Sequence, residues 1–189
     1  MHHLPNIITV LRILLVVPVV QLLLDGRYAE ALILFAVAGV SDGLDGFLAR
    51  FFHWQSRLGS ILDPLADKLL LVCSFLALGW QGLIPPLLVA LVLLRDLVIV
   101  AGALAFHLRF GRFEMAPSRL SKANTLFQIL LVLTVVLANS GLLGIPQMPL
   151  IVDTLGNIVW ATTLISGGNY VWVWGRRALQ QAKGDGSHE

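Results

Sequence analysis

The sequence predicts an all-α integral membrane protein with six transmembrane helices and both termini in the cytoplasm. Of its 189 residues, 57% are hydrophobic and only 13% are charged, whereas soluble domains carry about 25% charged residues. The mean hydropathy is +0.84. Six apolar runs of about 20 residues can be drawn, and each is long enough to cross a bilayer. We therefore expect a single membrane domain over residues 1–189.

The first half of the chain contains three of these spans. The first, Ile8–Leu24, follows Pro5 and Asn6, which favour a helix start. No small-residue cleavage site follows this span, so we expect it to be retained and not removed as a signal peptide. The second span is Ala29–Arg50 and the third is Leu58–Gly79.

The second half contains the other three spans. The fourth, Pro86–Phe106, begins directly after the helix breaker Pro85. The fifth is Ser121–Leu137 and the sixth is Thr154–Trp174. The polar tail 183–189 that follows is expected to fray.

The distribution of lysine and arginine predicts the orientation, because cytoplasmic loops are enriched in these residues. The loops on the side opposite the termini contain only Arg27. The side that holds both termini carries Arg50, Arg57, Arg109, Arg112, Arg119, Lys122, Arg176, Arg177 and Lys183. We therefore expect a bacterial-type inner membrane protein whose termini and 2–3 and 4–5 loops face the cytoplasm.

Charge and cysteine content exclude other classes. A net charge of +2 is too small to indicate nucleic-acid binding. The single cysteine, Cys73, cannot form an internal disulfide, and no Cys/His spacing typical of zinc is present.

Four carboxylates lie within predicted spans, at Asp42, Asp45, Asp63 and Asp67. Each costs about 2.5–3.5 kcal/mol at membrane depth, so such residues usually belong to a functional site. Helical periodicity puts Asp42 and Asp45 on one face of the second span, and Asp63 and Asp67 on one face of the third. The short connection makes these spans antiparallel neighbours, so we expect one pocket at the cytoplasmic end. A structural ion pair is the alternative, although Lys68 and Arg50 are the only cations adjacent to the motif aspartates in the sequence.

A pocket of four carboxylates requires cations. Hard oxygen ligands without His or Cys favour Mg²⁺, Mn²⁺ or Ca²⁺, and four carboxylates leave room for two ions. Gly46, Ala49 and Gly59 share the acidic faces and would let a substrate approach closely. Packing of small residues between helices is the alternative reading of these three.

The eight motif positions together resemble the signature of the CDP-alcohol phosphotransferase family. The match reads Asp42-x2-Asp45-Gly46-x2-Ala49-Arg50-x8-Gly59-x3-Asp63-x3-Asp67. The resemblance implies a six-span enzyme that displaces CMP from a CDP-linked substrate, such as CDP-diacylglycerol, by the hydroxyl of a second alcohol. It further implies two divalent cations, Mg²⁺ or Mn²⁺, and a homodimer.

The resemblance also implies a role for each motif residue. Asp42, Asp45 and Asp63 would be metal ligands, and Asp67 would be the general base and a further metal ligand. The nucleotide pocket would be lined by Gly46, Ala49, Arg50 and Gly59. An equally good interpretation of Arg50 is that its side chain extends to the membrane interface and does not bind the nucleotide.

Residues outside the motif bear on the acceptor. The string Leu4–Arg12 is shared by the branches that make glycerophospholipids. The strings Phe35–Arg50, Leu58–Lys68 and Ser121–Gln128 are most similar to the branch of CMP-forming cardiolipin synthases, which implies phosphatidylglycerol as acceptor. Phosphatidylglycerophosphate synthases, which use glycerol 3-phosphate, are close relatives and remain the alternative.

Both acceptors carry a phosphate, so a basic pocket is expected, with Arg95, Arg119 and Lys122 as candidates. Asp96 points about 100° away from Arg95 on a helix, so we expect a different anion beside Arg95. A structural salt bridge of Arg95 with a motif aspartate is the alternative. Asn124 and Gln128 share a helix face and could bind a glycerol or another helix.

Two further function classes compete with this interpretation. Membrane prenyltransferases also use aspartates and Mg²⁺ on a diphosphate, but they need two separated aspartate-rich motifs. A cation transporter would need carboxylates along a path through both leaflets. Here nearly all acids lie toward the cytoplasmic side, apart from Asp25, Glu30 and Asp153.

Overall fold

The computed structural model describes the backbone of residues 4–51, 59–110 and 119–185. Within these ranges, side-chain surroundings are described for residues 11–41, 66–102, 120–170 and 172. The described backbone forms six α-helices and no strand, as predicted. They are α1 Leu4–Leu24, α2 Tyr28–Phe51, α3 Gly59–Trp80, α4 Pro86–Phe110, α5 Arg119–Asn139 and α6 Met148–Asp185.

Helix α6 differs most from its predicted span. It has 38 residues, against a prediction of Thr154–Trp174. It starts earlier because Pro149 falls in the first helical turn, where a missing N–H costs nothing. It ends later because the polar segment after Trp174 is rich in Ala, Arg, Gln and Lys, all good helix formers. The first three residues of the tail that we expected to fray are therefore helical.

Two helices within the described residues are long and apolar enough to cross a membrane. These segments are Leu120–Asn139 and Met148–Tyr170. Shorter apolar segments occur in α1 and α2, over Leu11–Leu24 and Tyr28–Ser41.

The turns after α1 and α3 end their helices in the same way. Gly26 and Gly82 both have a φ of 73°, a left-handed conformation that glycine adopts without steric cost. After α1, the N–H of Arg27 donates to the carbonyl of Leu22 at 2.8 Å. This is the bond of a Schellman cap, which satisfies carbonyls at the helix end.

Gln81 joins these two turns. Its Nε2 donates to the carbonyls of Leu23 at 2.6 Å and Leu24 at 2.9 Å, and its Oε1 accepts from the hydroxyl of Tyr28. Gln81 therefore donates hydrogen bonds to backbone carbonyls at the end of α1, which have no partner within their own helix.

The helices pack so that apolar and polar cores lie at opposite ends of the described part. Helix α1 lies against α2 and α3, while α5 lies against α2, α3 and α6, and α4 contacts α3 and α6. The hydrophobic core includes Phe75, Leu78 and Leu88, near the turns just described. The halves that carry the motif instead bury charged and polar side chains, among them Arg12 and Arg95.

Candidate functional site

Helices α2 and α3 carry the four aspartates of the motif. Asp42 and Asp45 belong to α2, and Asp63 and Asp67 belong to α3. Only the surroundings of Asp67 are described. The side chains of the other motif residues lie outside the described set: Asp42, Asp45, Gly46, Ala49, Arg50, Gly59 and Asp63.

Asp67 forms an ion pair with a residue of α1. The Nη1 of Arg12 donates to Oδ1 of Asp67 at 3.0 Å. Only 2% of the Arg12 side chain is exposed, against 54% for Asp67. A buried cation therefore lies behind a carboxylate that is still accessible.

Sequence reasoning missed Arg12. We treated the motif aspartates as lacking any nearby cation except Lys68 and Arg50, and for Asp67 that was wrong. The signal was available, because an arginine inside the first apolar span is itself a costly residue that needs an anionic partner. The partner was hidden because it lies 55 positions along the chain.

Arg12 and Asp67 both line a cavity of about 230 Å³. Its other walls are mostly apolar and come from α2, α3 and α5, at Phe35, Ala38, Gly39, Leu70, Leu71, Ile129, Val132 and Leu133. The cavity thus combines a charged end with apolar walls, which suits an amphipathic ligand.

A second ion-pair network lies beside Asp67. Lys68 Nζ is 2.6 Å from Oδ2 of Asp96, and Nη1 of Arg95 is 2.9 Å from Oδ1 of the same carboxylate. Our expectation of a different anion for Arg95 was therefore wrong. The two residues point apart along the helix, but the arginine side chain is long enough to bend back to its neighbour.

The remaining contacts of Arg95 join three helices. Its Nη2 donates to Ser121 Oγ of α5 at 2.6 Å and to Ser166 Oγ of α6 at 2.7 Å. Arg95 is 6% exposed. These contacts agree with the structural alternative, although the partner is Asp96 and not a motif aspartate. Its role in acceptor binding stays a prediction.

The other two acceptor candidates lie at the start of α5. Lys122 is exposed, so its ammonium is accessible to an anionic ligand. The side chain of Arg119 lies outside the described set.

Asn124 and Gln128 are both fully buried in α5. Asn124 Oδ1 accepts from Thr162 at 2.8 Å and from Thr163 at 3.0 Å, so this amide binds helix α6. The amide of Gln128 has no hydrogen-bond partner in the described part of the chain. His53 lies outside the described residues.

The donor set fits divalent cations. The four motif residues are carboxylates on α2 and α3, and none of the eight motif positions is His or Cys. Hard oxygen donors of this kind favour Mg²⁺ or Mn²⁺. No group of three potential ligands occurs among the described side chains, which include only Asp67 of the four. The accessibility of Asp67 at the cavity agrees with a role as ligand or base.

Comparisons with known proteins bear on the same region. A family model described as CDP-alcohol phosphatidyltransferase matches residues 2–167. The chain is 33% identical over 189 aligned residues to a chloroplastic CDP-diacylglycerol–glycerol-3-phosphate 3-phosphatidyltransferase of Oryza sativa, covering 89% of this chain and 56% of that protein.

Two further relatives carry different names. A cardiolipin synthase (CMP-forming) of Rattus norvegicus is 31% identical, covering 95% of this chain and 64% of the rat protein. A CDP-diacylglycerol–glycerol-3-phosphate 3-phosphatidyltransferase of Rickettsia typhi is also 31% identical, covering 90% of this chain and 96% of that protein. The chain therefore spans less than two thirds of the first two relatives and almost all of the third. The names do not distinguish the acceptors.

Proposed function

Because this chain belongs to the CDP-alcohol phosphatidyltransferase family, we propose that it transfers a phosphatidyl group from CDP-diacylglycerol to a hydroxyl of a glycerol-containing acceptor and releases CMP. The family match carries this proposal, since it covers the whole aspartate motif. It also bears out the resemblance that the motif predicted. A prenyltransferase or a cation transporter finds no such support.

The aspartates take the roles that the resemblance implies. Asp42, Asp45 and Asp63 bind two divalent cations, Mg²⁺ or Mn²⁺, and Asp67 adds a ligand oxygen and acts as general base. Bound cations would supply charge neutralisation to the diphosphate and to the departing CMP. The part-exposed carboxylate of Asp67 at the cavity supports its accessibility to an acceptor hydroxyl.

The transfer step involves one bond formed and one broken. The acceptor oxygen forms a bond to the phosphorus that carries the diacylglycerol, and the bond from that phosphorus to the bridging oxygen breaks. CMP leaves with that oxygen and its electron pair. Asp67 accepts the proton of the acceptor hydroxyl, and orientation supplies much of the rate, since a carboxylate is a weak base in bulk water.

The nucleotide and acceptor contacts follow from the motif and from the charges beside it. Gly46, Ala49, Arg50 and Gly59 line the cytidine pocket. Lys122 and Arg119 contact the phosphate of the acceptor. Arg95 contributes a fixed positive charge from its network with Asp96, Ser121 and Ser166.

We further propose phosphatidylglycerol as the acceptor, with glycerol 3-phosphate as the alternative. The Phe35–Arg50 string and the Ser121–Gln128 string support the first. Relatives named for glycerol 3-phosphate support the second. The enzyme works as a homodimer of six-span subunits, with the motif end facing the cytoplasm and membrane lipids around it.

A CMP-release assay tests the proposal. Purified protein in detergent with CDP-diacylglycerol and Mg²⁺ or Mn²⁺ should release CMP only after an acceptor is added. Chelation by EDTA should stop the release, and added Mg²⁺ should restore it. Separate additions of phosphatidylglycerol and glycerol 3-phosphate identify the acceptor. The absence of CMP release with every glycerol-containing alcohol would refute the function.

A further inference from the structure

Arg12 is a buried charge outside the eight-residue motif. It lies in α1, whereas the motif lies on α2 and α3. Its side chain is 2% exposed, and its Nη1 is 3.0 Å from Oδ1 of Asp67. The described contact uses one N–H of the planar guanidinium, and because the side chain is enclosed, that donor has a fixed position relative to the carboxylate.

Consecutive residues of α3 are held from two sides. Asp67 pairs with Arg12 of α1, and Lys68 pairs with Asp96 of α4. Successive side chains point about 100° apart on a helix. The two pairs therefore restrict rotation of this turn of α3 about its axis. Of the two, only the pair with Arg12 contacts the carboxylate proposed to act as base.

The exposure of the pair is asymmetric. Burying both charges of an ion pair has a desolvation cost that their attraction often does not offset. Here the cation is enclosed, while 54% of the Asp67 side chain stays accessible. Both residues line the cavity of about 230 Å³. The arrangement restrains a carboxylate that remains open to a ligand.

We propose that Arg12 is a positioning residue, which holds Asp67 in the orientation needed to take the proton from the acceptor hydroxyl. This inference rests on the proposed phosphatidyl transfer. It assigns a third helix, α1, to the reactive centre. A misplacement of about 1 Å in such a group can cost about 100-fold in rate.

The test compares Arg12→Gln, Arg12→Lys and Gln81→Ala in detergent. Arg12→Gln should lower kcat about 100-fold, while the Kd for CDP-diacylglycerol changes by less than about threefold. Arg12→Lys should recover part of the loss, because it keeps the charge but not the planar fork. Gln81→Ala removes the hydrogen bonds that join the ends of α1 and α3 away from the motif, and it should keep kcat within about threefold of wild type.

Two results would overturn the proposal. An increase in the Kd for CDP-diacylglycerol that matches the loss of rate would make Arg12 a substrate-binding residue. The pair would be structural if the rate of Arg12→Gln fell only in proportion to the loss of folded protein, measured by thermal unfolding, and if Gln81→Ala gave the same relation.

A second measurement does not need turnover. Mn²⁺ binding is titrated by electron paramagnetic resonance in wild type, Arg12→Gln, Asp67→Asn and the double variant. In the protein that retains Asp67, Arg12→Gln should change the Mn²⁺ affinity. In the Asp67→Asn background the same substitution should leave the Mn²⁺ affinity unchanged, because Arg12 acts through that carboxylate. Equal effects in both backgrounds, or none in either, would contradict the inference. If the four proteins show this coupling in Mn²⁺ binding but the wild type releases no CMP, the proposed function is refuted and the contact of Arg12 with Asp67 is not.

Discussion

At the scale of single residues, the central feature is an accessible carboxylate beside an enclosed guanidinium. Asp67 is the only motif aspartate whose side-chain contacts the structure describes. Its neighbour in sequence, Lys68, belongs to a separate network with Asp96. Among the described side chains, the Arg12–Asp67 pair lies at the cavity, and a separate network of Lys68, Arg95 and Asp96 joins α3 to α4.

Asp67→Asn is the residue-scale prediction. The amide is nearly the same size and can still accept a hydrogen bond from Arg12, so the fold should be retained. It cannot act as a base, and general base catalysis contributes about 10²–10⁴-fold. We expect CMP release to fall by about that factor, while equilibrium titration shows CDP-diacylglycerol binding close to wild type.

Two other variants complete that test. Asp25→Asn alters an exposed carboxylate in the turn after α1 and should leave the rate unchanged. Asp42→Asn should weaken nucleotide binding through the loss of a metal ligand. If Asp67→Asn loses nucleotide binding as completely as Asp42→Asn, the role of Asp67 as base is wrong.

At the scale of elements, helix ends and close helix contacts determine how α3 is placed. Its last turn lies against α4 at Gly79, where an added Cβ would be 2.7 Å from Cγ2 of Val89. Val89 is 6% exposed, and a β-branched side chain in a helix has little freedom to rotate away. Glycine at this position therefore allows the α3–α4 contact.

Gly79→Ala is the element-scale prediction. Overpacking of this kind costs about 1–3 kcal/mol, so the midpoint of thermal unfolding in detergent should fall. Gly156→Ala is the matched control, because nothing lies within 4 Å of its added Cβ and alanine favours a helix over glycine by about 1 kcal/mol. It should be neutral or stabilising.

A double variant identifies the cause. In a Val89→Ala background, which lacks the Cγ2 atom that the new Cβ would meet, Gly79→Ala should lower the free energy of unfolding by less than it does in wild type. Additive losses would show that the contact with Val89 is not what requires glycine.

At the scale of the whole molecule, the distribution of apolar and polar side chains differs from the distribution in a soluble protein. Large apolar side chains are exposed along α2 and α4, including Ile33 at 62% and Leu97 at 64%. Charged and polar side chains such as Arg12, Arg95 and Gln128 are buried. Lipid around the helices would cover the apolar surface, and the buried charges lie where intramembrane functional groups are usually found.

The orientation of the chain is the whole-molecule prediction. In a Cys73→Ser background, Gln147→Cys puts a thiol in the exposed α5–α6 loop, and Ser187→Cys puts one in the C-terminal tail. A membrane-impermeant maleimide added to intact bacterial cells should label Gln147→Cys only, because lysine and arginine favour the cytoplasmic side. Permeabilised cells should label both. Labelling of Ser187→Cys alone in intact cells would reverse the orientation.

The sequence by itself determined the six helices, most of their ends and the family. Gly26 and Gly82 mark helix ends through backbone conformation, and Pro86 marks a helix start, so these signals are local. The same holds for the aspartate motif, because its spacing along two helices is a property of the chain alone. Helix α1 begins earlier and α4 ends later than the predicted spans, and α6 differs most, since the polar residues after Trp174 suit both a tail and a helix.

Only the tertiary structure decided which side chains meet. Arg12 pairs with Asp67, Lys68 with Asp96, and Asn124 with Thr162, over sequence separations that periodicity does not constrain. Helical periodicity predicts the face on which a residue lies, but the partner depends on which helix packs there, at what height, and on the rotamers of long side chains. For that reason the motif could be identified from the sequence, whereas the contact between Arg12 and the motif could not.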